Sequence, residues 1–461
     1  MWMNPCNKFP MIPRTRTAMS MAVQRLFRRL LDFRWRLRCL KSAVVFIALL
    51  FVILFIISSD SVTKKNGSFH DQAFGEEDVA LRAGYRVLRT SASLPLELCS
   101  ERGKGAGEER TVPLLIRPLN ATDHERIEWV RKNFHVLHMF NSDNFTRKFN
   151  VRVEKFFHDN SCAVRFFMTW ISPAELIGRR ELLAVESLFK SNPDGCLIII
   201  SRSLDSEVGR GILKPMVDRG FKVIPASPDL PSVFRRTPAE AWFDKLRSGK
   251  VDPGEIPLAQ NLSNLIRLAV LYKYGGIYLD TDFIVLRDFS GLRNSIGAQS
   301  VDTVSGNWTR INNAVMAFDR RHPLLAMFMR EFVATFDGNK WGHNGPYMVS
   351  RVVERLRQRG IRGTTATSGF SFTVLPPMAF YPVSWTRIGG LFERPISRRQ
   401  EKWVEAKVAQ LGGGETYGVH LWNKQSRGLR MEEGSVMGRL ISSHCVICEG
   451  IYGNPSEASP L

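Results

Sequence analysis

The stretch Gln260-Asn-Leu-Ser-Asn-Leu-Ile-Arg-Leu-Ala-Val-Leu-Tyr-Lys-Tyr-Gly-Gly-Ile-Tyr-Leu-Asp-Thr-Asp-Phe-Ile-Val-Leu286 holds two periodicities and a sharp boundary between them. Leu262, Leu265, Ile266, Ala269 and Tyr272 recur at three- and four-residue spacing, which predicts a helix with one apolar stripe. Asn264 and Arg267, three apart, share another face of that helix. Gly275-Gly276 stops it, and Ile277-Tyr-Leu279 reads as a strand ending in Asp280-Thr-Asp282. In extended chain, residues two apart point to one side, so Asp280 and Asp282 converge. Paired carboxylates repel unless a cation joins them, and oxygen donors suit Mn²⁺ or Mg²⁺. A divalent ion there can grip a diphosphate and stabilise its charge as it leaves. The plainer alternative is a surface turn with two solvated acids, because D-x-D is a short and common pattern.

Upstream, strands and helices alternate. Val164-Arg-Phe-Phe-Met-Thr-Trp170 reads as a buried strand, followed by a helix over 173–190 with Leu176, Leu182, Leu183, Val185 and Leu188 as apolar positions. Cys196-Leu-Ile-Ile-Ile200 is apolar throughout, as a strand buried on both faces should be. A helix over 213–219 then leads to a third strand, Phe221-Lys-Val-Ile224. This order predicts an α/β domain with a largely parallel sheet, in which ligands bind at the carboxyl ends of the strands. Neither G-x-G-x-x-G nor G-x-x-x-x-G-K-[ST] occurs, which argues against a dinucleotide fingerprint or a P-loop.

The ends of the chain concern location. The formal charge is +20, but residues 1–41 hold ten Lys or Arg against one acid, Asp32, and the other 420 residues carry only +11. No basic face for nucleic acid follows from that distribution. Ala43–Ile57 is an unbroken apolar run, and Ser42, Ser58 and Ser59 extend the uncharged stretch to residues 42–59. That approaches the roughly 20 residues needed to span hydrocarbon, and the basic residues before it place the N-terminus in the cytosol. The expectation is an uncleaved signal anchor at 42–59 behind a cytosolic tail at 1–41; the rival is a cleaved signal peptide. Residues 60–160 then read as a lumenal stem with a Gly- and charge-rich linker near 101–110, residues 161–455 as the working domain and 456–461 as a tail. Sequons begin at Asn66, Asn120, Asn144, Asn261 and Asn307, of which Asn261 reads as a helix cap. Cys99, Cys162, Cys196, Cys445 and Cys448 fall on the lumenal side, where one or two disulfides are expected. Cys445-Val-Ile-Cys448 has metal or redox spacing, a weak signal without a second pair.

The segment Leu271-Tyr-Lys-Tyr-Gly-Gly-Ile-Tyr-Leu-Asp-Thr-Asp282 resembles the signature of the DXD glycosyltransferases, specifically the α-1,4-glycosyltransferase family. The resemblance continues through Asn312–Phe318, His322-Pro323, Trp341–Pro346, Phe380–Val383 and Val419–Lys424, and so covers roughly residues 160–448. It implies a GT-A fold, which is Rossmann-like with a mixed, mostly parallel sheet, in a Golgi type II membrane enzyme. It also implies Mn²⁺ on Asp280 and Asp282, a UDP-sugar donor with galactose as the family-weighted sugar, and a glycan or glycolipid acceptor. Carried over residue by residue, His420 would complete the metal site, and Tyr278, Trp170 and Trp422 would lie against the nucleotide. Ser263, Asn264 and Arg267 would hold the donor sugar, and Asn344 would sit near the reacting centre. Relatives carry an acid where this chain has Asn264, which removes a charge but keeps hydrogen-bonding capacity. Core packing remains open for Trp170 and a buried structural role for His420. The family retains the sugar's configuration, with the departing phosphate taking the acceptor proton, so no nucleophile is assigned.

Two other classes are weighed. Aspartyl-phosphate phosphatases also place D-x-D after a strand, but Ile284 stands where they need Thr or Val. A membrane-anchored glycan-binding scaffold that has lost activity would have no need to keep both acids.

Overall fold

Nine strands occur among the residues that the computed structural model describes, which are 121–133, 142–360 and 371–452. They are β1 (Val164–Thr169), β2 (Gly195–Ile200), β3 (Lys222–Ala226), β4 (Gly276–Leu279), β5 (Phe283–Val285), β6 (Ser295–Val301), β7 (Trp308–Phe318), β8 (Thr373–Leu375) and β9 (Gly418–His420). Seven form one sheet in the order β3-β2-β1-β4-β7-β6-β8. The first four are mutually parallel, and β7 alone runs against its neighbours β4 and β6. The sheet is thus mixed and mostly parallel, as expected. β5 and β9 make a separate antiparallel ribbon. The 1–41 tail, the apolar run at 42–59, the linker and the 456–461 tail lie outside the described residues, as do Cys99, Asn66 and Asn120. Among the described residues no helix is long and apolar enough to cross a membrane.

The strand order creates the site. From β1 the chain builds outward through β2 and β3, then returns to lay β4 on the other side of β1. That reversal puts the topological switch point of the sheet between β1 and β4, and ligands of open α/β sheets bind at the carboxyl ends of such strands. β2 is buried at all six positions, which explains its unbroken apolar run. Both sheet faces are covered, one by a cluster containing Leu262, Leu265, Phe328 and Val349, the other by one containing Leu182, Val185 and Leu188.

Several boundaries moved for identifiable reasons. The helix expected at 173–190 is a short turn, Ala174–Leu176, followed by a helix, Arg179–Ser191, and Leu176 faces solvent. Glu181 breaks the run by accepting the Gly178 N–H at 2.9 Å and so starting the helix there. The helix expected at 213–219 spans Glu207–Val217, because Ser206 caps it by accepting the Gly209 N–H at 3.2 Å. Gly209 and Gly211 had hidden that first part of the helix. The helix Phe149–Asp159 buries Phe149, Val153 and Phe157 in the main core, so folded structure begins upstream of the stem boundary placed at residue 160. Asn261 is not a cap. The helix Leu258–Tyr274 starts at Pro257, and Asn261 is one of its buried residues.

Both disulfides available to the described cysteines form, Cys162–Cys196 and Cys445–Cys448.

Candidate functional site

The helix Leu258–Tyr274 ends at Gly275, and the chain turns straight into β4. Gly275 and Gly276 have φ of 67° and 114°, a region that disfavours side chains. A Cβ on Gly275 would lie 2.7 Å from the Arg320 nitrogen, and one on Gly276 2.5 Å from the Arg165 carbonyl oxygen. The glycine pair therefore lets the turn from helix to strand pass close against Arg320 and against Arg165 of β1.

Asp280 is held from three sides. Arg267 Nη2 lies 3.0 Å from its Oδ1, the Tyr278 hydroxyl donates to the same oxygen at 3.0 Å, and its N–H donates to the Ala314 carbonyl at 2.9 Å. Arg267 is itself anchored, donating to the Ser263 carbonyl at 3.2 Å, the Ser263 hydroxyl at 3.1 Å and the Asn313 carbonyl at 2.8 Å, with its guanidinium 4.4 Å over the Tyr278 ring. Burial pushes the Asp280 carboxyl above its ordinary range, Arg267 opposes that and Asp282 adds to it. Arg267 stays firmly charged. Burial works against its cation, but Asp280, with Tyr278 and Tyr381, together more than offset this.

Asp282 meets the second sheet. β5 pairs with β9 so that Phe283 stands opposite His420, and this brings His420 Nε2 to 3.4 Å from Asp282 Oδ1. The other Asp282 oxygen accepts the Asn423 N–H at 2.9 Å. One ligand atom each from Asp280, Asp282 and His420 lie within 4.8 Å of one another. Two carboxylates and an imidazole form a donor set that Mn²⁺ or Mg²⁺ accepts, the imidazole favouring Mn²⁺. Asn423, whose N–H grips Asp282, has its own Oδ1 buried without a hydrogen-bond partner. His420 Nδ1 accepts the Trp422 N–H at 3.0 Å, which puts the neutral ring's proton on Nε2. Coordination through Nε2 needs the other tautomer and gives up that bond.

Two family descriptions match the chain: a glycosyltransferase sugar-binding region containing a DXD motif, over residues 178–302, and an α-1,4-glycosyltransferase conserved region, over residues 317–451. Human lactosylceramide 4-alpha-galactosyltransferase is 33% identical over 274 residues, 57% of this chain and 70% of that protein. This chain belongs to the α-1,4-glycosyltransferase family. An uncharacterized Arabidopsis thaliana protein is 30% identical over 65% of this chain, which spans 44% of that relative's length. Human alpha-1,4-N-acetylglucosaminyltransferase is 24% identical over 47% of this chain and 58% of its own.

In this glycosyltransferase the expected site residues divide. Asp280, Asp282, His420, Arg267 and Ser263 come together as described. Asn264 joins them, its Oδ1 accepting the Asn313 amide at 2.8 Å and its Nδ2 donating to the Gln260 carbonyl at 3.2 Å. Tyr278 does not offer its ring to a nucleotide. It is 1% exposed and serves Arg267 and Asp280 instead. Trp170 packs in the core, its indole N–H donating to the Pro173 carbonyl at 3.1 Å, so the core reading holds for it in this structure. Asn344 is spent on the backbone and on Asn261. Its Nδ2 donates to the Asp337 carbonyl at 2.8 Å and to Asn261 Oδ1 at 3.0 Å, and its Oδ1 accepts the Asp337 N–H. It anchors the loop before the helix Pro346–Gln358, where Gly345 lies against Asn264, and it is buried at 2% exposure. Trp422 is half-buried beside His420, with ring centroids 4.4 Å apart, and its indole N–H donates to the Val383 carbonyl at 2.9 Å.

Sequence reasoning had no role for Asn313, Tyr381, Glu181 or Asn423. Three of these sit in segments that carried the family resemblance, but nothing local marked them. Tyr381 is buried, its ring stands 5.8 Å from both His420 and Trp422, and its hydroxyl accepts the Val315 N–H at 3.3 Å, so it packs the metal-site ribbon against β7.

Proposed function

We propose that this glycosyltransferase moves a hexose from a UDP-sugar to a hydroxyl of a glycan or glycolipid, forming an α-1,4 linkage with retention of configuration. Asp280, Asp282 and His420 would hold the divalent cation, Mn²⁺ in preference to Mg²⁺. The observation that carries this reading is the convergence of those three side chains from two separate sheets at the carboxyl end of β4. When bound, the cation supplies positive charge to the diphosphate leaving group. Arg267 orients Asp280 and opposes the upward push that burial gives its carboxyl. The Asn264–Asn313 amide pair adjoins Arg267, which donates to the Asn313 carbonyl, and, on the family resemblance, meets the donor sugar. Galactose is the donor favoured by the human relative's name, whereas the N-acetylglucosaminyl relative shows that the sugar differs within similar chains. The basic residues at 1–41 and the apolar run at 42–59 support a Golgi type II placement with the working domain in the lumen.

The test is a hydrolysis panel of UDP-galactose, UDP-glucose, UDP-N-acetylglucosamine and UDP-N-acetylgalactosamine on the full chain in detergent with Mn²⁺. One sugar nucleotide should be turned over, and both chelation and Asp282→Asn should abolish turnover. Equal turnover by Asp282→Asn would remove the metal assignment. Absence of Mn²⁺-dependent nucleotide binding in calorimetry would favour a scaffold that kept the fold and lost the reaction.

A further inference from the structure

We propose that Glu181 and Asn423 act as a positioning pair that sets the orientation of Asp282 and so tunes cation affinity; this rests on the reading of Asp282 as a cation ligand. Asp282 has two oxygens with different duties. Oδ1 faces His420, and Oδ2 accepts the Asn423 N–H at 2.9 Å. That N–H fixes the carboxylate's rotation, leaving one edge for the cation. Its direction is set by how the chain leaves β9. Trp422 has φ 53°, a left-handed conformation rare outside glycine, and the short helix Asn423–Ser426 starts right after it. A turn of this kind persists only where its surroundings hold it.

The hold comes from a helix far away in sequence. The Asn423 amide donates to Glu181 Oε1 at 3.1 Å, across 242 residues of chain. Glu181 is 5% exposed and sits in the first turn of the helix Arg179–Ser191, where its other oxygen accepts the Gly178 N–H. Its neighbour Arg180 donates to the Ser426 carbonyl at 2.6 Å and to the Leu429 carbonyl. Two consecutive side chains of one helix therefore pin the segment that follows His420. A buried carboxylate costs free energy unless its oxygens are hydrogen-bonded, so Glu181 holds both the Gly178 N–H and the Asn423 amide firmly. Here it fixes the residue whose N–H orients a metal ligand. Partners of this outer kind typically change metal affinity 10- to 100-fold when removed.

The test measures Mn²⁺ binding to the full chain in detergent by the electron paramagnetic resonance signal of free Mn²⁺, with thermal melts to verify folding. Asn423→Ala keeps the backbone N–H but loses the anchor, and Glu181→Ala removes the anchor from the other end. Both should weaken Mn²⁺ binding by about 10- to 100-fold, and the double variant should be no worse than either single one. Glu181→Gln, which can still accept from Asn423, should recover most of the affinity. Turnover lost at low Mn²⁺ should return at high Mn²⁺ in the alanine variants, which a merely destabilised fold would not show. If the wild type binds Mn²⁺ and either folded alanine variant binds it equally well, the positioning role is overturned. If additive losses appear in the double variant, the two residues do not act as a pair. If the wild type binds no Mn²⁺ at all, the cation reading of the site falls and the pair falls with it. Should Glu181→Ala fail to fold, Asn423→Ala and Glu181→Gln decide the matter.

Discussion

Replacing Arg267 by methionine keeps an unbranched stem in the same space and removes only the charge. In the structure that guanidinium is 6% exposed and lies 3.0 Å from an Asp280 carboxylate that is itself 27% exposed. At an effective dielectric of about 20, a pair at this distance attracts by roughly 5 kcal/mol, before any cost of removing the two charges from water. Breaking one side of a buried pair typically costs about 3–5 kcal/mol, because the surviving charge is left uncompensated. For a domain of this size that corresponds to a melting temperature lower by roughly 5–8 °C. The pH dependence follows from the carboxyl that is left behind. Burial already holds Asp280 above the usual carboxylate range, and loss of Arg267 raises it further. A carboxyl raised in the folded state lowers stability at pH above its folded pKa, and that penalty fades as pH falls through the folded value. The gap between Arg267→Met and wild type should therefore be widest at neutral pH and narrow on acidification. Mn²⁺ should close part of the gap, since a cation bound by Asp280 replaces the missing charge, and 100-fold saturation of a site is worth about 2.7 kcal/mol. The assay is a set of thermal melts from pH 5 to 8, with and without Mn²⁺, for wild type, Arg267→Met, Asp280→Asn and the double variant. A melt within about 2 °C of wild type, or losses that simply add in the double variant, would refute the argument that Arg267 exists to hold Asp280.

Two further outcomes test how the rest of the domain is held. Glu331 is buried, which would raise its carboxyl, but Arg355 and Arg351 overcome this and hold it below the ordinary glutamate range. Its stabilising effect is thus present above the unfolded value, roughly pH 4.3, and is lost as pH falls through the folded value. Glu331→Gln should cost about 2 kcal/mol near neutrality and flatten the acid limb of a stability–pH curve; an unchanged limb would deny the pairing. Glu186 accepts three successive N–H groups, from Val446, Ile447 and Cys448, on one buried oxygen and Arg179 on the other. Glu186→Gln should lower denaturant stability by about 2–4 kcal/mol and raise hydrogen exchange at residues 446–448, whereas unchanged exchange there would show that the loop holds itself.

What was legible in the chain was local. The apolar stripe from Leu262 to Tyr272, the glycine pair and the alternation of Asp280 and Asp282 express a helix, its stop and a strand end, each within a few residues. The family resemblance rests on that same density of local constraint. What stayed hidden was mostly long-range, because a side chain's partner is chosen by the fold. Trp170, Tyr278 and Asn344 look like ligand contacts in sequence, and in space their neighbours are Pro173, Arg267 and Asp337. No spacing could announce that Glu181 and Asn423, 242 residues apart, would meet.

By itself, the sequence determined that two acids end a strand after a helix bearing an arginine, since helix and strand periodicities arise from neighbours along the chain. Only the tertiary structure decided that His420 completes their cluster. That histidine reaches Asp282 through the pairing of β5 with β9, and such pairing depends on the packing of distant segments that no local pattern encodes.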